Sequence, residues 1–88
     1  MSMAKVTLLD FWAPWCGPCK MMNPVLDEIE KASPEVEFKR INVDEEGEVS
    51  QKYGVMSIPT FVIEKDGKEV GRKIGVTSKA DLLALLQQ

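Results

Sequence analysis

The stretch Val-Thr-Leu-Leu-Asp-Phe-Trp-Ala-Pro-Trp-Cys-Gly-Pro-Cys-Lys, residues 6–20, decides the fold. Its first part, Val6–Trp12, is almost continuously apolar, a pattern typical of a central strand covered on both faces. The following segment, Ala13–Pro18, is rich in proline and glycine and predicts a loop. Apolar residues spaced three and four apart then predict a helix that ends near Ala32. The two cysteines are therefore expected where a buried strand passes into a helix.

The rest of the chain predicts five further elements. Two strands joined by a helix run parallel through a right-handed crossover, whereas Asp66-Gly67 predicts a hairpin and an antiparallel pair. The sequence thus predicts an α/β protein of order β-α-β-α-β-β-α, with a four-stranded mixed sheet, helices on both faces and a single domain over residues 1–88. The further elements are strands at Val36–Val43, Thr60–Glu64 and Glu69–Ile74, a short helix through Tyr53, and a last helix begun by Ser78.

Composition excludes several functional classes. The 88 residues allow one small core, and 11 basic against 14 acidic residues give a net charge of −3, which disfavours nucleic-acid binding. The absence of histidine excludes Ser-His-Asp and Cys-His catalysis and the usual zinc ligands. The N-terminal segment has no pattern of a signal peptide, and no apolar run would span a membrane. We therefore expect a cytoplasmic protein that binds neither membrane nor nucleic acid.

The chemistry is expected to depend on two cysteines, Cys16 and Cys19. Cys16 falls at a helix N-terminus, where unpaired N–H groups and the helix dipole favour a thiolate. Cys19 lies one turn further on the apolar stripe, so we expect an exposed attacking thiol and a buried resolving thiol. No histidine between them stabilises the thiolate, which favours a reductant. A structural disulfide and a metal or cluster shared between two chains are the alternatives.

The segment Trp12–Lys20, with Ser57-Ile58-Pro59-Thr60 and Gly75 downstream, resembles the thioredoxin family from about Val6 to the C-terminus. The resemblance implies a thiol-disulfide oxidoreductase that reduces protein disulfides through Cys16 and Cys19. It implies no bound cofactor beyond this redox-active disulfide, and no metal. The implied partners are disulfide-containing client proteins and a thioredoxin reductase linked to NADPH or ferredoxin.

The resemblance also implies where clients bind. The Ile58–Pro59 peptide bond is expected to be cis and to face the cysteines, leaving nearby backbone free to pair with an extended client strand. Core packing is the alternative for Met56 and Ile58. The implied substrate-binding residues are Trp15, Gly17, Pro18, Met56, Ser57, Ile58, Pro59, Gly75 and Val76.

Asp10 interrupts the first strand on the face of Leu8 and Trp12, so we expect it to be buried and its pKa to be raised. The resemblance implies that Asp10 transfers a proton for Cys19. A structural ion pair with Arg40 is the alternative, because arginine could hold Asp10 anionic but not join a proton relay. Trp12 is expected to pack beside the site. The acidic run from Asp44 to Glu48 is interpreted as a solvated helix start.

Members of the family usually begin with a further strand and helix, so the resemblance indicates a short form. The strand at Val36–Val43 is then expected at the sheet edge, with apolar surface uncovered, and the protein is expected to be a monomer or weak dimer. Two other functions stay open. One is a glutathione-coupled, glutaredoxin-like role, which Trp-Cys-Gly-Pro-Cys disfavours; the other is a binding module that docks partners irrespective of redox state.

Overall fold

The computed structural model describes residues 5–87. Residues 1–4 and 88 lie outside the described part of the chain. The predictions of a domain over residues 1–88 and of an N-terminal segment without a targeting signal therefore extend beyond the described residues. Among the described residues, every helix is too short or too polar to cross a membrane.

The structure confirms the predicted order of seven elements, with boundaries that differ by one or two residues. The second strand ends at Asn42 because the chain turns there: the N–H groups of Glu45 and Glu46 donate to the Asn42 carbonyl, at 3.1 and 2.8 Å. The elements are β1 Val6–Trp12, α1 Gly17–Ala32, β2 Val36–Asn42, α2 Gly47–Lys52, β3 Thr60–Lys65, β4 Lys68–Ile74 and α3 Lys79–Leu86.

The four strands form one mixed sheet in the order β2-β1-β3-β4. β1 is parallel to β2 and antiparallel to β3, and β3 is antiparallel to β4. The central position of β1 explains why it is apolar apart from Thr7 and Asp10, because helices cover both of its faces. β2 lies at an edge of the described sheet, as predicted.

Local signals account for the turn between β3 and β4 and for the start of α3. Asp66 and Gly67 both have positive φ, at 52° and 83°, as a tight hairpin turn requires of its two central residues. Ser78 is the N-cap of α3, and its Oγ accepts a hydrogen bond from the Asp81 N–H at 3.1 Å. Both features were predicted from the sequence.

Two layers of apolar side chains pack on opposite faces of the sheet. On one face, α1 and α3 cover Leu8, Phe61 and neighbouring residues. On the other face, α2 and the loop after it cover Leu9 and Val62. Alternate residues of β1 therefore enter different layers, and Asp10 lies in the row of Leu8, beneath α1.

The expected apolar exposure beside the edge strand is not found. Leu9 and Ile41 are only 4% and 6% exposed, because Val49 and Tyr53 pack against them. The large apolar side chains that the described residues do expose lie elsewhere: they are Trp15, Met21, Met56, Val70, Ile74 and Val76. None of these six residues belongs to the layer that contains Leu9 and Ile41.

Leu26→Ala is expected to lower the free energy of unfolding by about 2–5 kcal/mol, because Leu26 is fully buried between α1 and the sheet and its removal leaves a cavity. Urea unfolding of the oxidised chain measures the change. Asn23→Ala, an exposed position on the same helix, is the matched control and should change stability little. A loss below about 1 kcal/mol at Leu26 would contradict this packing.

Candidate active site

Cys16 and Cys19 lie at the N-terminus of α1 and form a disulfide, with Cα atoms 5.3 Å apart. Cys16 is the N-cap, in extended conformation, and Cys19 is in the first turn. The Cys19 N–H donates to Sγ of Cys16 at 3.1 Å, so one of the free helix N–H groups points at that sulfur. This contact is the environment that favours a thiolate at Cys16 once the disulfide is reduced.

The expectation of one exposed and one buried cysteine is wrong for the oxidised chain. Cys16 is 4% exposed and Cys19 is 5% exposed. Both pack in a small cluster with Ala13, against which Trp12, Val43 and Ile58 also pack. The two sulfurs therefore differ by their position on the helix, at the cap and in the first turn, and not by solvent exposure.

Trp12 packs against the cysteine cluster, as predicted. Its Nε1 is buried and, within residues 5–87, has no hydrogen-bond partner.

Asp10 is buried, with 4% exposure, as predicted. Burial raises its pKa from 3.8 to about 6, and the positive charge of Arg40 opposes this shift without cancelling it. In β1, Asp10 stands between Leu8, which packs with Met22 of α1, and Trp12, which packs with the cysteines. A carboxyl group that gains and loses a proton near neutral pH thus lies beneath the helix that carries Cys19.

Arg40 faces Asp10 across the β1–β2 pairing, yet its ion pairs are with α1. Its Nη2 lies 3.0 Å from Oδ1 of Asp27 and 3.6 Å from Oε1 of Glu30. An ion pair between Arg40 and Asp10 is the structural alternative that the sequence allows. The salt bridges of the described residues do not include it. Arg40 acts on Asp10 through its charge at a distance.

The loop before β3 faces the same end of the sheet, and its Ile58–Pro59 peptide bond is cis. Two hydrogen bonds hold the loop: Thr60 Oγ1 donates to the Ser57 carbonyl at 2.6 Å, and the Gly75 N–H donates to the Pro59 carbonyl at 2.8 Å. Gly75 has φ of 89°, a conformation that glycine adopts without strain. In the described part of the chain, the backbone of Ile58 makes no hydrogen bond to other backbone groups.

The structure brings four of the predicted substrate-binding residues together in one open groove of about 500 Å³. Trp15 and Met56 are 68% and 97% exposed. The groove is lined by Trp15, Val43, Ser50, Val55, Met56, Ser57 and Ile58. The other predicted residues do not line this groove. Pro59 and Gly75 are joined by their backbone hydrogen bond, Gly17 and Pro18 are exposed on the first turn of α1, and Val76 is 59% exposed.

Asp44 makes a contact that the sequence pattern does not predict. The indole Nε1 of Trp15 donates to Oδ2 of Asp44 at 2.8 Å, across 29 residues of sequence. The acidic run is typical of a solvated helix start, and no local pattern in it singles out Asp44. Only the positions of β2 and of the loop before α1 bring the two side chains together.

Comparison with known proteins agrees with this geometry. The family model described as Thioredoxin matches residues 1–88. A thioredoxin of Bacillus subtilis is 48% identical over 84 residues, which cover 94% of this chain and 81% of that protein. A thioredoxin of Chlamydia caviae is 45% identical over 83 residues, with the same coverage. The crystal structure of oxidised mitochondrial thioredoxin 3 from Saccharomyces cerevisiae is 38% identical, with a TM-score of 0.88 over 94% of this chain and 77% of that one.

Proposed function

The chain belongs to the thioredoxin family and carries out dithiol–disulfide exchange through Cys16 and Cys19, and we propose that Cys16 attacks the client disulfide while Cys19 resolves the intermediate. One observation carries this assignment: the pair lies at the N-terminus of α1, with the Cys19 N–H donating to Sγ of Cys16. The helix N-terminus stabilises negative charge on the cap sulfur, and Cys19, inside the first turn, lies within bonding distance of it.

In the first step, the Cys16 thiolate attacks one sulfur of a client disulfide. A bond forms between Cys16 Sγ and that sulfur, the client disulfide breaks, and the other client sulfur leaves as a thiolate that takes up a proton. The apolar cluster around the cysteines excludes water, so the charge on the attacking sulfur is stabilised mainly by the N–H groups of the helix.

In the second step, Cys19 loses its proton and attacks Sγ of Cys16. The mixed disulfide breaks, the first client sulfur leaves reduced, and the Cys16–Cys19 disulfide forms, so that two electrons have passed to the client. Asp10 is the proton acceptor in this proposal: a carboxyl with a pKa of about 6 is mostly ionised at pH 7 and still basic enough to take a proton.

Clients dock in the groove beside the cysteines. Trp15 and Met56 supply exposed apolar walls, and the free backbone groups of Ile58 are available to pair with an extended client segment. Gly17, Pro18, Ser57, Pro59, Gly75 and Val76 complete the surface that a client covers.

The family implies disulfide-containing clients and a reductase that returns the pair to the dithiol. We propose that this reductase is linked to NADPH or ferredoxin and that residues 1–88 act as one domain, with no cofactor bound. We also propose a cytoplasmic location and a monomer or weak dimer. The Cys16–Cys19 disulfide is then the whole redox centre.

Reduction of insulin disulfides tests the function. The chain is expected to accelerate precipitation of the insulin B chain strongly with dithiothreitol as reductant and weakly with glutathione. With only Gly17 and Pro18 between the cysteines, the pair is expected to be a reductant, and such a pair is itself reduced poorly by the weaker reductant glutathione. The double variant Cys16→Ser, Cys19→Ser is the control and should be inactive. Full activity with glutathione would favour a glutaredoxin-like role, and undiminished binding of clients by the double variant would favour a binding module.

A further inference from the structure

The Trp15 side chain is highly exposed, and one side-chain hydrogen bond, to Asp44, holds its indole ring. It is 68% exposed, so core packing restrains its ring little, and an indole carries only one hydrogen-bond donor. That donor, Nε1, donates to Oδ2 of Asp44 at 2.8 Å, a distance typical of an N–H···O hydrogen bond. The orientation of this wall of the groove therefore depends on Asp44.

The backbone of Asp44 is itself held in place. Its N–H donates to Oδ1 of Asn42 at 2.9 Å, and the next two residues donate to the Asn42 carbonyl. The Val43 N–H donates to the Trp12 carbonyl at 2.9 Å, which joins this turn to the end of β1 beside the cysteines. The carboxylate thus projects from a turn that is fixed to the same frame as the active site.

We propose that Asp44 is a positioning residue for client binding, which holds the Trp15 indole in the orientation that forms one wall of the groove. This inference rests on the proposed docking role of Trp15. A side chain already ordered in the free protein loses less conformational freedom when a client covers it, so this ordering favours binding. The hydrogen bond from Trp15 to Asp44 leaves the attack by Cys16 unchanged, because Asp44 contacts the indole and not the reacting sulfurs.

The test compares client binding with chemistry in the pre-reduced chain. Single-turnover oxidation by insulin gives a half-saturation concentration and a limiting rate, and oxidation by 5,5′-dithiobis(2-nitrobenzoic acid) reports on a disulfide too small to fill the groove. Asp44→Ala is expected to raise the half-saturation concentration for insulin roughly two- to twelvefold, the cost of ordering one side chain. The limiting rate and the rate with the small disulfide should stay within about twofold.

Two variants and a spectroscopic measurement distinguish an effect of the hydrogen bond between Trp15 and Asp44 from an effect of negative charge and from a general loss of structure. Asp44→Asn keeps an acceptor oxygen for the indole and should recover most of the binding. Glu45→Ala removes a neighbouring acidic side chain and should behave as the parent chain. Tryptophan anisotropy decay should show faster local motion in Asp44→Ala and not in Glu45→Ala.

The outcomes separate this inference from the proposed function. An unchanged half-saturation concentration in Asp44→Ala, an equal loss with the small disulfide, or an Asp44→Asn variant as weak as Asp44→Ala would overturn the positioning role. Trp15→Ala serves as the reference for the groove itself. If Trp15→Ala bound insulin as well as the parent chain does, the docking role of Trp15 would be wrong, whereas Cys16 and Cys19 would keep theirs.

Discussion

Cys19→Ser is expected to leave the first attack intact and to halt the reaction at a covalent complex between the chain and its client. Cys16 retains its place at the helix N-terminus and still breaks the client disulfide. No second thiol is then present to attack Sγ of Cys16, so the mixed disulfide persists. Catalytic turnover with insulin should fall by more than about a thousandfold, as when a covalent-catalysis residue is removed.

Non-reducing electrophoresis and intact-mass measurement detect this complex as a species with the combined mass of the protein and one insulin chain. Dithiothreitol should separate the two by reducing the disulfide that joins them. Cys16→Ser is the matched variant and should form no such complex, because its remaining thiol lies inside the first turn and not at the cap, where the free helix N–H groups favour a thiolate. A complex formed by Cys16→Ser and not by Cys19→Ser would reverse the two roles. The same Cys19→Ser chain, immobilised, identifies clients by the disulfide that holds them.

Asp10→Asn is expected to raise the free energy of unfolding of the oxidised chain by about 3 kcal/mol at pH 8. The pKa of Asp10 is about 6 in the folded chain, where the carboxyl is buried, and 3.8 when the carboxyl is exposed to water, as in the unfolded chain. Each pKa unit of this difference corresponds to 1.36 kcal/mol. Because the folded state binds its proton more tightly than the unfolded state, stability falls as pH rises from about 3.8 to about 6 and stays lowered above that range. The neutral asparagine removes this cost.

Urea unfolding at several pH values measures the effect in the oxidised chain, where no thiol titrates. The gain from Asp10→Asn should fall below about 1 kcal/mol at pH 4, where the carboxyl is protonated in the folded state. Asp27→Asn is the matched control, because Asp27 is an exposed carboxylate paired with Arg40 and such pairs contribute about 0–1 kcal/mol. Equal stability of the Asp10 variant and the parent chain at pH 8 would show that burial does not raise the Asp10 pKa.

The same substitution also tests the proton transfer. Resolution of the mixed disulfide should slow on the order of a hundredfold in Asp10→Asn, the usual size of a general-base contribution. The parent chain should show an inflection near pH 6 in the rate of this step, and the variant should lack it. A more stable variant that resolves the intermediate at the parent rate would assign Asp10 to the electrostatics of folding and remove it from the mechanism.

The sequence alone was sufficient for the elements and for their order. Helix and strand periodicity, the Asp66-Gly67 turn and the Ser78 cap act between residues near in sequence, so local pattern is enough to place them. The burial of Asp10 was predictable for the same reason, since alternation along β1 places it in the row of Leu8. The position of the cysteines at a helix start also follows from order along the chain.

Only the tertiary structure decided which side chains meet and which are covered. Arg40 pairs with Asp27 and Glu30 although Asp10 is its neighbour in the sheet, and Cys16 is as buried as Cys19. The contact of Trp15 with Asp44 spans 29 residues. The choice of partner depends on how side chains from separate elements point and how much free energy their burial costs, and neither quantity is encoded in a local pattern. The cysteine pair could therefore be predicted from the sequence, whereas the equal burial of its two members and the contact of Trp15 with Asp44 could not.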